Sequence, residues 1–292
     1  MLAVVLAALA AVLFAVGSVL QQRAAHASAR LVLPHRRGRG RRLATLLSGS
    51  PTWLGGQLVI LVGFACHASA LHLGSLAVVQ PVLALTLPAS ILIGGARGRH
   101  RPGAGDWAGI AALLAGVVLF LVVSSPSDGP PRPAWTLALA SAVATGVSGL
   151  LALAATRSGP VGRALLLSTA SSTLLALAAA LTKAVLGTLT TAGLLAVVAD
   201  WQLYALVIAG VSGVVLEQMA FSEGSLAAAM VPITLLNPVV ATLLGLVAWH
   251  ETLAAPPTAI AVGVCVGIVL AGAGAGLLSR SALLRPAPAR VL

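Results

Sequence analysis

Charge is what this sequence has least of. Asp, Glu, Lys and Arg together make up 8% of its 292 residues, against roughly a quarter in a typical soluble domain. Too few polar side chains are present to cover a water-exposed globule. Cysteine is nearly absent as well: Cys66 and Cys265 both lie in apolar blocks, which leaves no basis for a disulfide scaffold or a zinc site. Acids number only six, and of the 17 basic residues a single one, Lys183, is lysine. No nucleophile–base arrangement stands out among the scattered serines, so an enzyme is not expected.

What the chain does have is hydrophobic residues, 59% of the total, gathered in blocks of about 20. Blocks of that length cross a bilayer core of roughly 30 Å as helices. The expected fold is all-α, a polytopic membrane bundle of nine spans at about 2–20, 53–71, 76–94, 107–123, 135–155, 164–187, 201–221, 226–248 and 258–278. Trp53, Trp107, Trp135 and Trp201 open spans and Trp249 closes one, the headgroup depth at which an amphipathic indole prefers to sit.

The net charge of +11 is carried by arginine. The segment "PHRRGRGRR", with Arg36, Arg37, Arg39, Arg41 and Arg42, invites a nucleic-acid reading. Beside membrane helices, however, such a loop sets topology and touches anionic lipid headgroups. With nine crossings, fifteen arginines fall on one side and Arg132 alone on the other. The excess marks the cytoplasmic side, so the N-terminus is expected outside and the C-terminus inside, in a cell membrane. "AHA" before Ser28 resembles a signal-peptide cleavage site, but positive charge follows rather than precedes the apolar run. The first span therefore reads as a retained anchor.

The turn-rich segment "SSPSDGPPRP" suggests a junction between halves. The expected organisation is a first half at 1–123 containing a basic loop at 23–52, a linker at 124–134, a second half at 135–279 and a basic tail at 280–292. The halves also resemble each other. The sequence from Trp53 and that from Trp201 both show a Trp, an apolar helix, Gly-Ser-Leu and a second helix interrupted by prolines. Gly74-Ser75-Leu76 corresponds to Gly224-Ser225-Leu226, Pro88 to Pro238, and Pro81 to Pro232 with a one-residue slip. His67 falls opposite Glu217. One copy would enter from the cytoplasm and the other from outside, making an inverted repeat, the usual architecture of secondary transporters. Pro81, Pro88, Pro232 and Pro238 are candidate kinks, each freeing a backbone carbonyl. Gln80 and Asn237, immediately before two of them, are candidate cavity groups.

Over 53–121 and 201–278 the chain resembles the drug/metabolite transporter superfamily, whose EamA-type domains carry such repeats. The first span, "LFAVGSVLQQRAA", with its basic loop, is similar to the NIPA-like branch, which implies nine spans and a link to magnesium. Departures accompany the likeness. The second half keeps Glu251 in "AWHETL", whereas the first has "GGARG" and no acid; His67 stands where a NIPA-like protein has one. Six acids also supply few of the hard oxygen ligands that Mg²⁺ favours. The resemblance implies a secondary transporter of a small solute working by alternating access. The alternatives are a NIPA-like divalent-cation permease and a non-transporting membrane scaffold.

Two charges stand out. Lys183 is expected near the outer end of span six, four residues before Gly187, either snorkelling to headgroups or facing the bundle toward a substrate, a lipid headgroup or an acidic partner. Glu217, toward the cytoplasmic end of span seven, is too distant to pair with it; it either carries a proton or caps an interfacial turn with Glu223. Asp200 and Glu251, at outer span ends, are expected to be ordinary solvated charges. His67 and His72, five residues apart, share a direction only approximately and do not make a metal site. No cofactor is implied.

Overall fold

The computed structural model describes residues 1–32, 49–96, 102–124, 126–127, 134–222, 226–249, 251–253 and 257–279. Outside them lie Arg36, Arg37, Arg39, Arg41, Arg42, most of the 124–134 linker, Glu223, Gly224, Ser225 and the 280–292 tail. The chain is helical, in the order α1 (Leu2–Val32), α2 (Pro51–Leu73), α3 (Leu76–Leu83), α4 (Thr86–Ala96), α5 (Ala104–Ser124), α6 (Ala134–Ala155), α7 (Pro160–Ala199), α8 (Trp201–Ser222), α9 (Leu226–Trp249) and α10 (Pro257–Ser279). Two-residue strands β1 (Pro126–Ser127) and β2 (Thr252–Leu253) pair antiparallel, Pro126 with Leu253 and Ser127 with Thr252.

Among the described residues, seven helical stretches are long and apolar enough to cross a membrane: α1, α2, α3 with α4, α5, α6, α7 and α8. Helices α9 and α10, of 24 and 23 residues, contain shorter apolar stretches at Leu236–Trp249 and Cys265–Leu278. Large apolar side chains face outward along the seven membrane-length stretches, among them Leu58 and Leu61 on α2, Val118 on α5, Leu150 on α6 and Val211 on α8. Such surfaces are at rest against lipid tails and would be costly against water.

Helix boundaries follow local chemistry. At α2, Ser50 caps Trp53 N at 3.4 Å and Pro51 occupies the first turn, where its missing N–H costs nothing. Of the four candidate kink prolines, Pro88 alone stands beside an interruption, and α3 runs on through Pro81. Pro88 has no N–H for the Ala84 carbonyl and its ring crowds that group; the backbone breaks into a turn at Ala84 and Leu85, separating α3 from α4. In the second copy α9 runs unbroken through Pro232 and Pro238.

Small residues set the packing. Helices α1 and α2 run antiparallel in close contact, with Gly17 facing Gly56 and Ile60, Gly63 facing Leu13 and Phe14, and Gly74 facing Ala3. Helices α5 and α10 do the same: Gly109 meets Gly274 and Leu278, and Gly116 meets Gly267 and Ala271. Without a hydrophobic driving force between helices in lipid, such backbone approach supplies the van der Waals contact that holds them.

Helix α7 is the hub, packing on α2, α6, α8 and α9, with every residue from Ala176 to Thr182 buried. Its hydroxyls are satisfied locally or across helices: Thr182 Oγ1 donates to Ala178 O at 2.8 Å, and Ser171 Oγ to Gly213 O at 2.8 Å. The expected end of this span at Gly187 is corrected. Gly187 is helical, and the regular conformation breaks only at Gly193, whose φ of 81° is the left-handed region that glycine tolerates. Lys183 is therefore ten residues before the break, about 15 Å along the axis.

Candidate functional site

Glu251 lies two residues past the end of α9, and its backbone N–H donates to Gly245 O at 3.1 Å. This wide closure of the helix C-terminus turns the Glu251 side chain back over the last turns of α9. The carboxylate lies against Gly245, where any Cβ would collide with it. From there it reaches the N-terminus of α3. Leu76 N donates to Oε1 at 2.6 Å and Ala77 N to Oε2 at 3.1 Å. These are two of the amides that a helix leaves without internal partners, and the positive end of the helix dipole favours an anion there.

Lys183 completes the arrangement. Its Nζ is 3.2 Å from Glu251 Oε1, with the lysine side chain 12% exposed and the glutamate side chain fully buried. Three segments thus meet on one carboxylate: α3 from the first half, and α7 and the loop after α9 from the second. Desolvating two charges is expensive unless each is paired and the remaining lone pairs are used. Here both carboxylate oxygens accept from amides while one also meets the ammonium.

This geometry corrects one expectation and, of the two open readings of Lys183, selects the acidic partner inside the bundle. Glu251 is not a solvated charge at a span end; it is 2% exposed. Lys183 does not snorkel to headgroups, because its Nζ is turned toward a carboxylate inside the bundle. The sequence held a signal for the pair. In a nine-span topology Lys183 and Glu251 map to the same arginine-poor side, while Glu217 maps to the opposite one.

The remaining candidates occupy separate places. His67 is buried in the α1–α2 interface between Phe14 and Phe64, with ring centroids 6.3 and 6.4 Å away, and its Nδ1 has no hydrogen-bond partner. Gln80 is buried on α3, one residue before Pro81. Asn237 is half-buried on α9 with its Oδ1 enclosed and without a partner. Glu217 is half-buried on α8. Ser75, which precedes α3, is buried with an unpartnered Oγ.

An uncharacterised protein of Corynebacterium glutamicum is 29% identical over 203 residues, which cover 67% of this chain and 68% of that protein. No family model matches the chain, and no solved structure matches it.

Proposed function

We propose that this protein is a secondary transporter of a small solute in the cell membrane, working by alternating access between two inverted halves of the drug/metabolite transporter kind. The observation that carries the reading is the Lys183–Glu251 pair seated on α3, a charged junction between first-half and second-half elements inside a largely apolar bundle. Polar and charged groups held inside a membrane bundle usually mark a solute path.

The helix pairing supports the inverted repeat. Helices α3 and α9, which follow equivalent positions of the two sequence copies, pack on each other, and α5 packs antiparallel on its counterpart α10. A two-fold axis in the membrane plane would relate both pairs. The reading takes α9 and α10 as the eighth and ninth spans, with the N-terminus outside and the arginine-rich loops in the cytoplasm. Glu217 on α8 is then the candidate proton carrier near the cytoplasmic side.

Uptake and efflux of solutes by the purified protein in liposomes, with and without a proton gradient, tests the function. Solute movement above protein-free vesicles is the expected result; none across anionic, cationic and neutral solutes would favour a scaffold. Cysteine labelling at Arg39 and Asp128 tests the orientation: Asp128, not Arg39, should label from outside intact cells.

A further inference from the structure

We propose that Lys183 and the first turn of α3 form an oxyanion-binding site, in which Glu251 is an internal placeholder for the carboxylate or phosphate group of a solute. This rests on the transporter reading and deepens it by naming the class of solute. The donors are the Leu76 and Ala77 amides and the Lys183 ammonium, at 2.6, 3.1 and 3.2 Å from the carboxylate. They come from two separate elements, and the anion they hold comes from a third.

A further polar group belongs to the same helix end. Ser75, the N-cap residue of α3, makes no capping hydrogen bond, and its buried Oγ has no partner. An N-cap serine ordinarily accepts from an amide of the first turn. Here a carboxylate has taken Leu76 and Ala77, and the hydroxyl is left over. Two amides, an ammonium and a spare hydroxyl offer more hydrogen-bonding capacity than the two oxygens of a carboxylate use.

The placeholder is mounted so that it can leave. Glu251 lies in the loop after α9 rather than within a helix, and Thr252 and Leu253 beside it pair with Ser127 and Pro126 near the junction between halves. Separation of α9 from α3 would withdraw the carboxylate and leave fixed donors facing the gap. An incoming oxyanion would then bring to Lys183 the negative charge that the Glu251 carboxylate had supplied. Amides of a helix N-terminus are already oriented for an anion and need no rearrangement to receive it.

The test uses the purified full-length protein and two probes, sodium phosphate and sodium acetate, against sodium chloride at matched ionic strength. Glu251→Gln removes the competing charge. Gly245→Ala drives the carboxylate out by steric collision while leaving it in the chain, so it decides the matter if the first variant does not fold. In each folded variant the oxyanions should raise Tm saturably, at concentrations about tenfold or more below those needed by the wild type, because a tethered carboxylate competes at high effective concentration. Adding Lys183→Met should abolish the shift. A stronger response to phosphate assigns the site to phosphate groups, and a stronger response to acetate assigns it to carboxylates. No shift with either probe, or a shift that survives Lys183→Met, overturns the proposal. Binding is read here without flux, so its failure is distinguishable from a failure to transport in liposomes.

Discussion

Glu251 Oε1 accepts from the Leu76 amide at 2.6 Å and meets Lys183 Nζ at 3.2 Å, although 175 and 68 residues separate these groups from it in sequence. One oxygen therefore ties the end of α9 to the start of α3 and to the middle of the hub helix. The lone lysine of the chain is explained by this contact: it neutralises a carboxylate that caps a helix belonging to the other half.

The arrangement is directional, and exchanging the charges should not restore it. In the combined variant Lys183→Glu with Glu251→Lys, the new ammonium faces the Leu76 and Ala77 amides, donor against donor at the positive end of α3. Its Tm should be no higher than that of the worse single variant. Recovery to near the wild-type value would mean that the ion pair alone matters and the helix end does not.

Much of the fold was legible because it rests on local chemistry. Apolar blocks gave the helices, Gly74-Ser75 marked the boundary between α2 and α3, and Pro88 foretold the break before α4. The helix end assigned to Gly187 was misread because glycine is tolerated inside membrane helices, and only the backbone conformation singles out Gly193. Partners were harder to read. In lipid the outer faces are as apolar as the inner ones, so the polar stripe that betrays packing in a soluble helix is missing. Glu251 was misjudged for a related reason: its place at a span end suggested solvent, and the turn that folds it back over Gly245 is a tertiary feature.

Gly245 should be intolerant of the smallest side chain. Alanine favours helix by about 1 kcal/mol over glycine, yet a Cβ here collides with the Glu251 carboxylate. Gly245→Ala should lower unfolding stability by about 1–3 kcal/mol. Gly146→Ala on α6, where nothing lies within 4 Å, should be neutral or slightly stabilising. Equal responses in a thermal unfolding assay would remove the steric argument.

The α5–α10 contact makes a similar forecast without charge. A Cβ on Gly116 would sit 2.6 Å from Ala271 N, and one on Gly274 2.6 Å from Leu113 N. Since backbone cannot move aside as a flexible side chain can, Gly116→Val should cost about 1–3 kcal/mol or more. An unchanged Tm would show that these helices do not pack so closely in the membrane.

Ser127 and Thr252 are directly opposed in the β1–β2 pair. Replacing both with cysteine should allow a disulfide, since antiparallel partners have Cα atoms about 4.5–5.5 Å apart. Oxidation should tether the Glu251 loop to the junction between halves and suppress transport, and reductant should restore it. Full activity in the oxidised, cross-linked protein would mean that this end does not open during the cycle.

The most direct measurement is a double-mutant cycle of Lys183→Met and Glu251→Gln, read as unfolding free energy in mixed micelles. Lys183→Met takes the ammonium from a fully buried carboxylate and Glu251→Gln takes the carboxylate from a partly exposed ammonium, a loss of about 3–5 kcal/mol where burial is complete and less for Lys183. The double variant removes both charges together. A clasp of the kind described predicts a double variant less destabilised than the sum of the singles, with a coupling energy of about 1–3 kcal/mol. Single effects that add within about 0.5 kcal/mol would contradict it and return Lys183 to the membrane surface.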